Sequence, residues 1–141
     1  MTPENKNADD YRFYIFMRND LDSMNTGKAC AQAAHAQRHA DFCILEDKQF
    51  ENHSNDYKNW CFQTSQSFGS TVCLQVDGRK LEEVTDFFKS STDFPCGKIH
   101  DPTYPLIDGS VLHLIPLDTC GWVFGHKDSL SAVLRYFELH P

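Results

Sequence analysis

Apolar and polar positions alternate along the chain in blocks whose spacing changes from block to block. From Tyr11 to Met17 (Y-R-F-Y-I-F-M) aromatic and β-prone residues run almost unbroken, the pattern of a strand buried on both faces. A polar stretch follows, and after Gly27 comes an Ala-rich segment without Pro or Gly, which predicts a helix; Asn25 and Thr26 carry the short side-chain oxygens that cap a first turn. The region from Glu46 to Gln66 is weakly patterned, but His53, Tyr57 and Trp60 share a helical face, so a second, surface helix is expected there with His53 solvated. Gly69 separates it from S-T-V-C-L-Q-V-D, residues 70 to 77, a strand. Asp77-Gly78 then turns the chain into a helix over Lys80 to Ser90, with Leu81, Val84, Phe87 and Phe88 at the spacing that packs on a sheet.

Ser91 to Phe94 reads as a loop, and Pro95 to His100 as a short strand ending at Asp101. The next residues, D-P-T-Y-P, contain two prolines, which lack the N–H that a regular helix or interior strand requires; a shaped loop is expected. Ser110 to Leu117 is the next strand, with His113 at the edge of the core. Trp122 to Phe124 follows as a small strand or turn. A final helix spans Ser129 to Leu139 with Leu130, Val133, Leu134 and Phe137 inward. The order β-α-α-β-α-β-β-α predicts an α/β fold, a single domain with a small mixed β-sheet and helices packed on its faces.

The chain is 141 residues long, one domain's worth, and its 40% hydrophobic and 23% charged content is that of a soluble globular protein. No apolar run approaches the ~20 residues that span a bilayer. The first ten residues are polar and acidic, unlike a signal or transit peptide. They are expected to be a disordered polar tail, 1–10, ahead of a domain at 11–141. Six cysteines, at 30, 43, 61, 73, 96 and 120, are scattered without a C-x-x-C, and several sit in apolar stretches, so they read as free thiols in a cytoplasmic protein. The formal charge of -7 argues against a nucleic-acid partner, whose phosphates supply much of the binding. A local patch from Arg12, Arg18, Lys28, Arg38, Lys98 and Lys127 is the arrangement that would overcome it.

One stripe stands out chemically. At about 100° per residue, Lys28, Gln32, His35 and His39 fall in register along the first helix, beside a stripe of Ala29, Ala33, Ala36 and Ala40. The methyl face lets the helix lie close on a sheet and leaves the polar stripe at the margin of that contact. Lys28 near the helix N-terminus suits a phosphate or an oxyanion. Asp20, at the carboxyl end of the first strand, lies where open α/β sheets place ligands, or else holds the N–H groups of its own loop. His35 and His39 are spaced for zinc, but no H-E-x-x-H and no third ligand accompany them, and no metal is predicted. G-x-G-x-x-G, P-loop and G-x-S-x-G motifs are absent.

R-N-D-L at 18–21, M-N-T-G-K at 24–28 and A-Q-A-A-H-A at 31–36 resemble the opening of the type-2 peptidyl-tRNA hydrolases, which read R-x-D-L, M-x-x-G-K and A-Q-x-x-H-A. The likeness continues through Val72 to Val76, Lys98 to Asp101 and Asp108-Gly109-Ser110, and covers Tyr11 to about Pro116. It implies a four-stranded mixed sheet and a cofactor-independent, cytoplasmic esterase cleaving the bond between a peptide and the terminal ribose of tRNA. On this resemblance Lys28, His35, Asp101 and Thr103 are the catalytic residues, and Arg18, Asp20, Gln32 and Tyr104 bind substrate. The expected partner is tRNA, without a membrane, and a homodimer is open. The family pattern D-A-G-x-T stands here as D-P-T-Y-P, one residue shorter before Gly109. That departure, with the acidic charge, motivates the alternative of a catalytically silent relative serving as a tRNA- or protein-binding module.

Overall fold

A computed structural model describes residues 9–141, so all but the last two residues of the expected 1–10 tail lie outside the described residues. Asp9 and Asp10 lead into the first strand, and the Asp10 carboxylate lies 3.7 Å from Lys127 Nζ. The elements are β1 (Tyr11–Arg18), α1 (Thr26–Asp41), α2 (Ser54–Cys61), β2 (Thr71–Val76), α3 (Gly78–Ser91), β3 (Cys96–Asp108), β4 (Val111–His126) and α4 (Lys127–Leu134). The four strands form one mixed sheet in the order β2-β1-β4-β3, with β1 parallel to β2 and antiparallel to β4, and β3 antiparallel to β4 at the free edge. This is the small four-stranded α/β domain that the sequence predicts.

Alternation along β1 divides the core in two. Phe13, Ile15 and Met17 face α1 and α2, where they meet Ala36, Ala40, Trp60 and Trp122; Phe16 faces α3 and α4, with Leu81, Val84, Phe88 and Leu130. The α1 contact is built on small residues as expected, yet the most deeply buried are Gln32, Ala36 and Ala40, while Ala29 and Ala33 are half-covered. A turn of π-helix, Phe42–Glu46, continues α1 and buries Cys43 and Ile44. On α2, Tyr57 and Trp60 are fully buried, so this short helix is pinned by its two aromatics to the sheet beneath it.

Several expected boundaries move. Asp77 caps α3 by accepting from Lys80 N at 2.7 Å, so the helix starts at Gly78, and Thr85 replaces the exposed Phe87 on its buried face. The segment Asp101–Pro105 is part of a strand, not a loop. β3 is an edge strand, and register shifts between Ile99 and His100 and between Asp101 and Tyr104 place Pro102 in a bulge, where no ladder N–H is required. The expected strand at 110–117 and the small one at 122–124 are a single strand, β4, bent rather than broken by those shifts. Gly109, with φ +63°, makes the tight turn between β3 and β4. The outer half of this hairpin extends beyond β1, so His113, Leu112 and Leu114 are exposed instead of lying at a core edge. Helix α4 ends at Leu134 with Val133 36% exposed; residues 138–140 instead run along the outer edge of β2, where Gln75 N donates to Glu138 O and His140 N to Cys73 O. Covering that edge satisfies backbone groups which a longer helix would leave open.

Candidate active site

The site is built where α1 crosses β3 and β4. Helix α1 is capped by the Asn25 side chain, which accepts from Lys28 N at 2.9 Å. Lys28 then reaches across to β3, where Nζ donates to Pro105 O at 2.9 Å and lies 5.4 Å from the centroid of the Tyr104 ring. Tyr104 is completely buried, with its hydroxyl 3.0 Å from Ser23 Oγ. It serves as the platform under Lys28 and fastens the loop before α1, with no face free to stack on a ligand.

One helical turn further, Gln32 is 3% exposed and fully bonded. Its Nε2 donates to Asp101 Oδ2 at 2.7 Å, and its Oε1 accepts from Thr119 Oγ1 at 2.6 Å. The ionised carboxylate can only accept, so it takes the NH2 end of the amide, and the hydroxyl, which can donate or accept, donates to the other end. Thr119 is there because of a bulge: Ile99 pairs with Cys120 and His100 with Asp118, leaving Thr119 as the extra residue. Thr119 and Cys120 both turn toward α1, and the Cys120 thiol donates to Gln32 O at 3.5 Å. Sequence reading missed Thr119; nothing in T-C-G-W announces a bulge, since it depends on how two strands register.

Asp101 stands half-open on the rim of a cleft of about 610 Å³, lined also by His35, His39 and residues 98–103. Its Oδ1 accepts from Thr103 N at 2.9 Å, closing a small turn within the bulge. Partial burial pushes its pKa upward, but the Gln32 amide, the Thr103 N–H and the charge of His35 outweigh that, so the carboxyl titrates below its ordinary value. Asp101 is thus ionised at neutral pH, with a protein donor already on each oxygen and lone pairs left for a water. His35 is exposed across the same cleft. Lys28 makes no ion pair with Asp101; its contact is the Pro105 carbonyl.

Arg18 and Asp20 lie apart from this cluster, on the α3 side of the sheet. They form a fork-like pair at 2.9 and 3.0 Å; Asp20 also accepts from Gly78 N, and Arg18 donates to Asp118 O. Of the readings open for Asp20, this geometry matches the loop-holding one. The expected basic patch is largely neutralised by neighbours: Arg38 pairs with Glu46, Lys98 with Asp118 and Lys127 with Asp10, while Arg12 donates to backbone carbonyls of Asp9 and Tyr11. His39 is anchored to the core through one ring nitrogen, its Nδ1 accepting from Trp122 Nε1 at 2.9 Å. The six cysteines are free thiols. Burial raises the pKa of Cys61 and Cys73 to about 11 and of Cys120 to about 12, so these three are protonated and unreactive at neutral pH.

Compared with protein-family models, residues 11–109 match the family described as peptidyl-tRNA hydrolase PTH2. The chain belongs to the type-2 peptidyl-tRNA hydrolase family. The match takes in β1 through β3 and so contains Lys28, Gln32, His35, Asp101, Thr103 and Tyr104, whereas Thr119 lies on β4 beyond it. No curated protein matches the chain. Membership in the type-2 peptidyl-tRNA hydrolases supports peptidyl-tRNA hydrolysis as the activity of this chain. Among the described residues no helix is long and apolar enough to cross a membrane.

Proposed function

We propose that the chain hydrolyses the ester between a peptide and the terminal ribose of tRNA by attack of water, with Asp101 orienting the nucleophile and Lys28 facing the developing oxyanion. The observation that carries this reading is the ionised, doubly hydrogen-bonded Asp101 at the open end of the Thr119–Gln32–Asp101 chain, with Lys28 one helical turn before Gln32 and held to Pro105 O on the same strand as Asp101. A carboxylate with a lowered pKa is a weak base, so its main work is to fix a water by accepting one of its protons in a hydrogen bond. As the water oxygen bonds to the ester carbonyl carbon, that proton moves toward Asp101 and negative charge grows on the carbonyl oxygen. Lys28 has given only one N–H to the protein and can direct another at that oxygen, where a preplaced cation acts without reorganisation. When the tetrahedral intermediate collapses, the ester C–O bond breaks and the ribose oxygen leaves with a proton. His35 borders the same cleft and Thr103 N–H holds the far carboxylate oxygen, so both shape the site around Asp101. The D-P-T-Y-P segment keeps the aspartate in place by strand pairing and a bulge, which favours the enzyme over the silent relative.

The test is release of peptide from an N-blocked peptidyl-tRNA by the wild type, Asp101→Asn and Lys28→Ala. Loss of two or more orders of magnitude in kcat for both variants, with cooperative unfolding retained, is expected. Wild-type rates in both would reject the assignment.

A further inference from the structure

A cavity of about 640 Å³ lies at the free edge of β3 between residues 49–53, the C-terminal half of α3 and residues 94–98. We infer that this cavity seats the single-stranded terminal nucleotides of the tRNA acceptor end, so that the ester beside them reaches Asp101; the inference rests on the hydrolase reading above.

Its position comes first. The cavity and the Asp101 cleft share His39 and Lys98, so they are two parts of one groove around the edge of β3. Gly97 and Asp101 are four residues apart on that strand, ~13 Å at the strand rise, a distance that one or two nucleotides cover. Gly97 lets His39 and Trp122 pack directly on the strand between the two parts: a Cβ there would come within 2.6 Å of Trp122 Nε1 and 2.8 Å of His39 Cε1.

The lining chemistry suits a nucleotide. Phe50 and Phe94 are half-buried at the cavity wall and offer the aromatic faces on which bases stack regardless of sequence. In a chain of net charge -7, Lys89 and Lys98 line this cavity against a single acid, Asp86. Lys89 makes no ion pair among the described residues, unlike Arg18, Arg38, Lys98 and Lys127. His39 contributes a directed donor. Trp122 can only donate to Nδ1, so in the neutral ring the proton sits on Nε2, which meets the Cys43 sulfur at 3.5 Å. Sulfur is a weak acceptor, and a base nitrogen or phosphate oxygen entering the cavity would outcompete it.

The test titrates the trinucleotide C-C-A into the full chain, followed by chemical-shift changes and tryptophan fluorescence, and measures peptidyl-tRNA turnover in parallel. Lys89→Glu reverses the unpaired charge on an exposed helix position, and Phe50→Leu removes an aromatic face while keeping the site apolar. Each is expected to weaken trinucleotide binding about ten-fold and to raise KM by a similar factor with kcat retained. A lysine that served only the dipole at the end of α3 would change the unfolding midpoint and leave KM alone. Trinucleotide affinity and KM unchanged in both variants, or no binding to the wild type at millimolar concentration, would overturn the inference while a hydrolysing wild type still upheld the reading beneath it. A wild type that binds C-C-A through Lys89 yet releases no peptide would uphold the cavity and reject the hydrolase.

Discussion

Gln32 and Asp101 are 69 residues apart in sequence, and the Gln32 amide donates to the Asp101 carboxylate at 2.7 Å. That bond has one direction because the ionised carboxylate can only accept, and Thr119 anchors the other end of the amide by donating to it at 2.6 Å. A buried glutamine with both ends engaged costs little to keep and is expensive to disturb, since removing either partner strands a polar atom away from water.

Thr119→Val keeps the shape of the side chain and deletes the hydroxyl. The Gln32 carbonyl oxygen then loses its donor inside the protein, which is expected to lower stability by about 1–3 kcal/mol. The amide is also free to turn, so kcat should fall while KM holds. Thr119→Ser should recover most of both. Urea unfolding and peptide release measured on the same preparations check this; an unchanged kcat in the valine variant would show that the amide needs no such anchor.

Asp101 titrates low because three favourable interactions outweigh its partial burial, and the sign of its pH effect follows. A depressed folded-state pKa contributes stability that is present above the unfolded value and lost as pH falls through the folded one. Activity that needs the carboxylate should likewise be flat through neutral pH and decline only below the ordinary carboxylate range. Gln32→Met removes the strongest favourable contact and leaves burial to push upward, so the acid limb of kcat/KM should move to higher pH. Profiles from about pH 4 to 8 for both proteins decide it. Coincident acid limbs would mean that another group sets the rate.

His39 behaves in the opposite sense. Burial lowers its pKa, so between the folded value and about 6.5 the unfolded chain binds more protons and stability rises with pH. The protein is expected to lose stability as pH falls through the ordinary histidine range. His39→Asn should flatten that dependence. Urea midpoints between about pH 5 and 7 measure it, and equal slopes in the two proteins would refute the assignment.

Much of this molecule follows from sequence alone, because the signals are local. The strand at Tyr11, the capped helix after Asn25, the strand at 71–76, the helix after Asp77 and the mixed sheet rest on periodicity, caps and turn residues that act within a few positions. The polar stripe of α1 and the family are equally legible, since R-N-D-L, M-N-T-G-K and A-Q-A-A-H-A lie within one continuous segment.

Pairing between distant strands decides the rest. Two prolines read as a loop until β3 is known to be an edge strand, where a bulge accepts Pro102 and Pro105 pairs opposite Leu114. Thr119 is an ordinary residue until the register beside Ile99 turns it toward Gln32. Tyr104 is an aromatic suited to stacking, yet strand packing buries it beneath Lys28; Arg18 and Asp20 share the opening motif, but strand alternation sends Arg18 to the α3 face, where it and Gly78 N hold Asp20. A residue type states which bonds a side chain can make. Which of them it makes depends on what the fold brings within 3 Å.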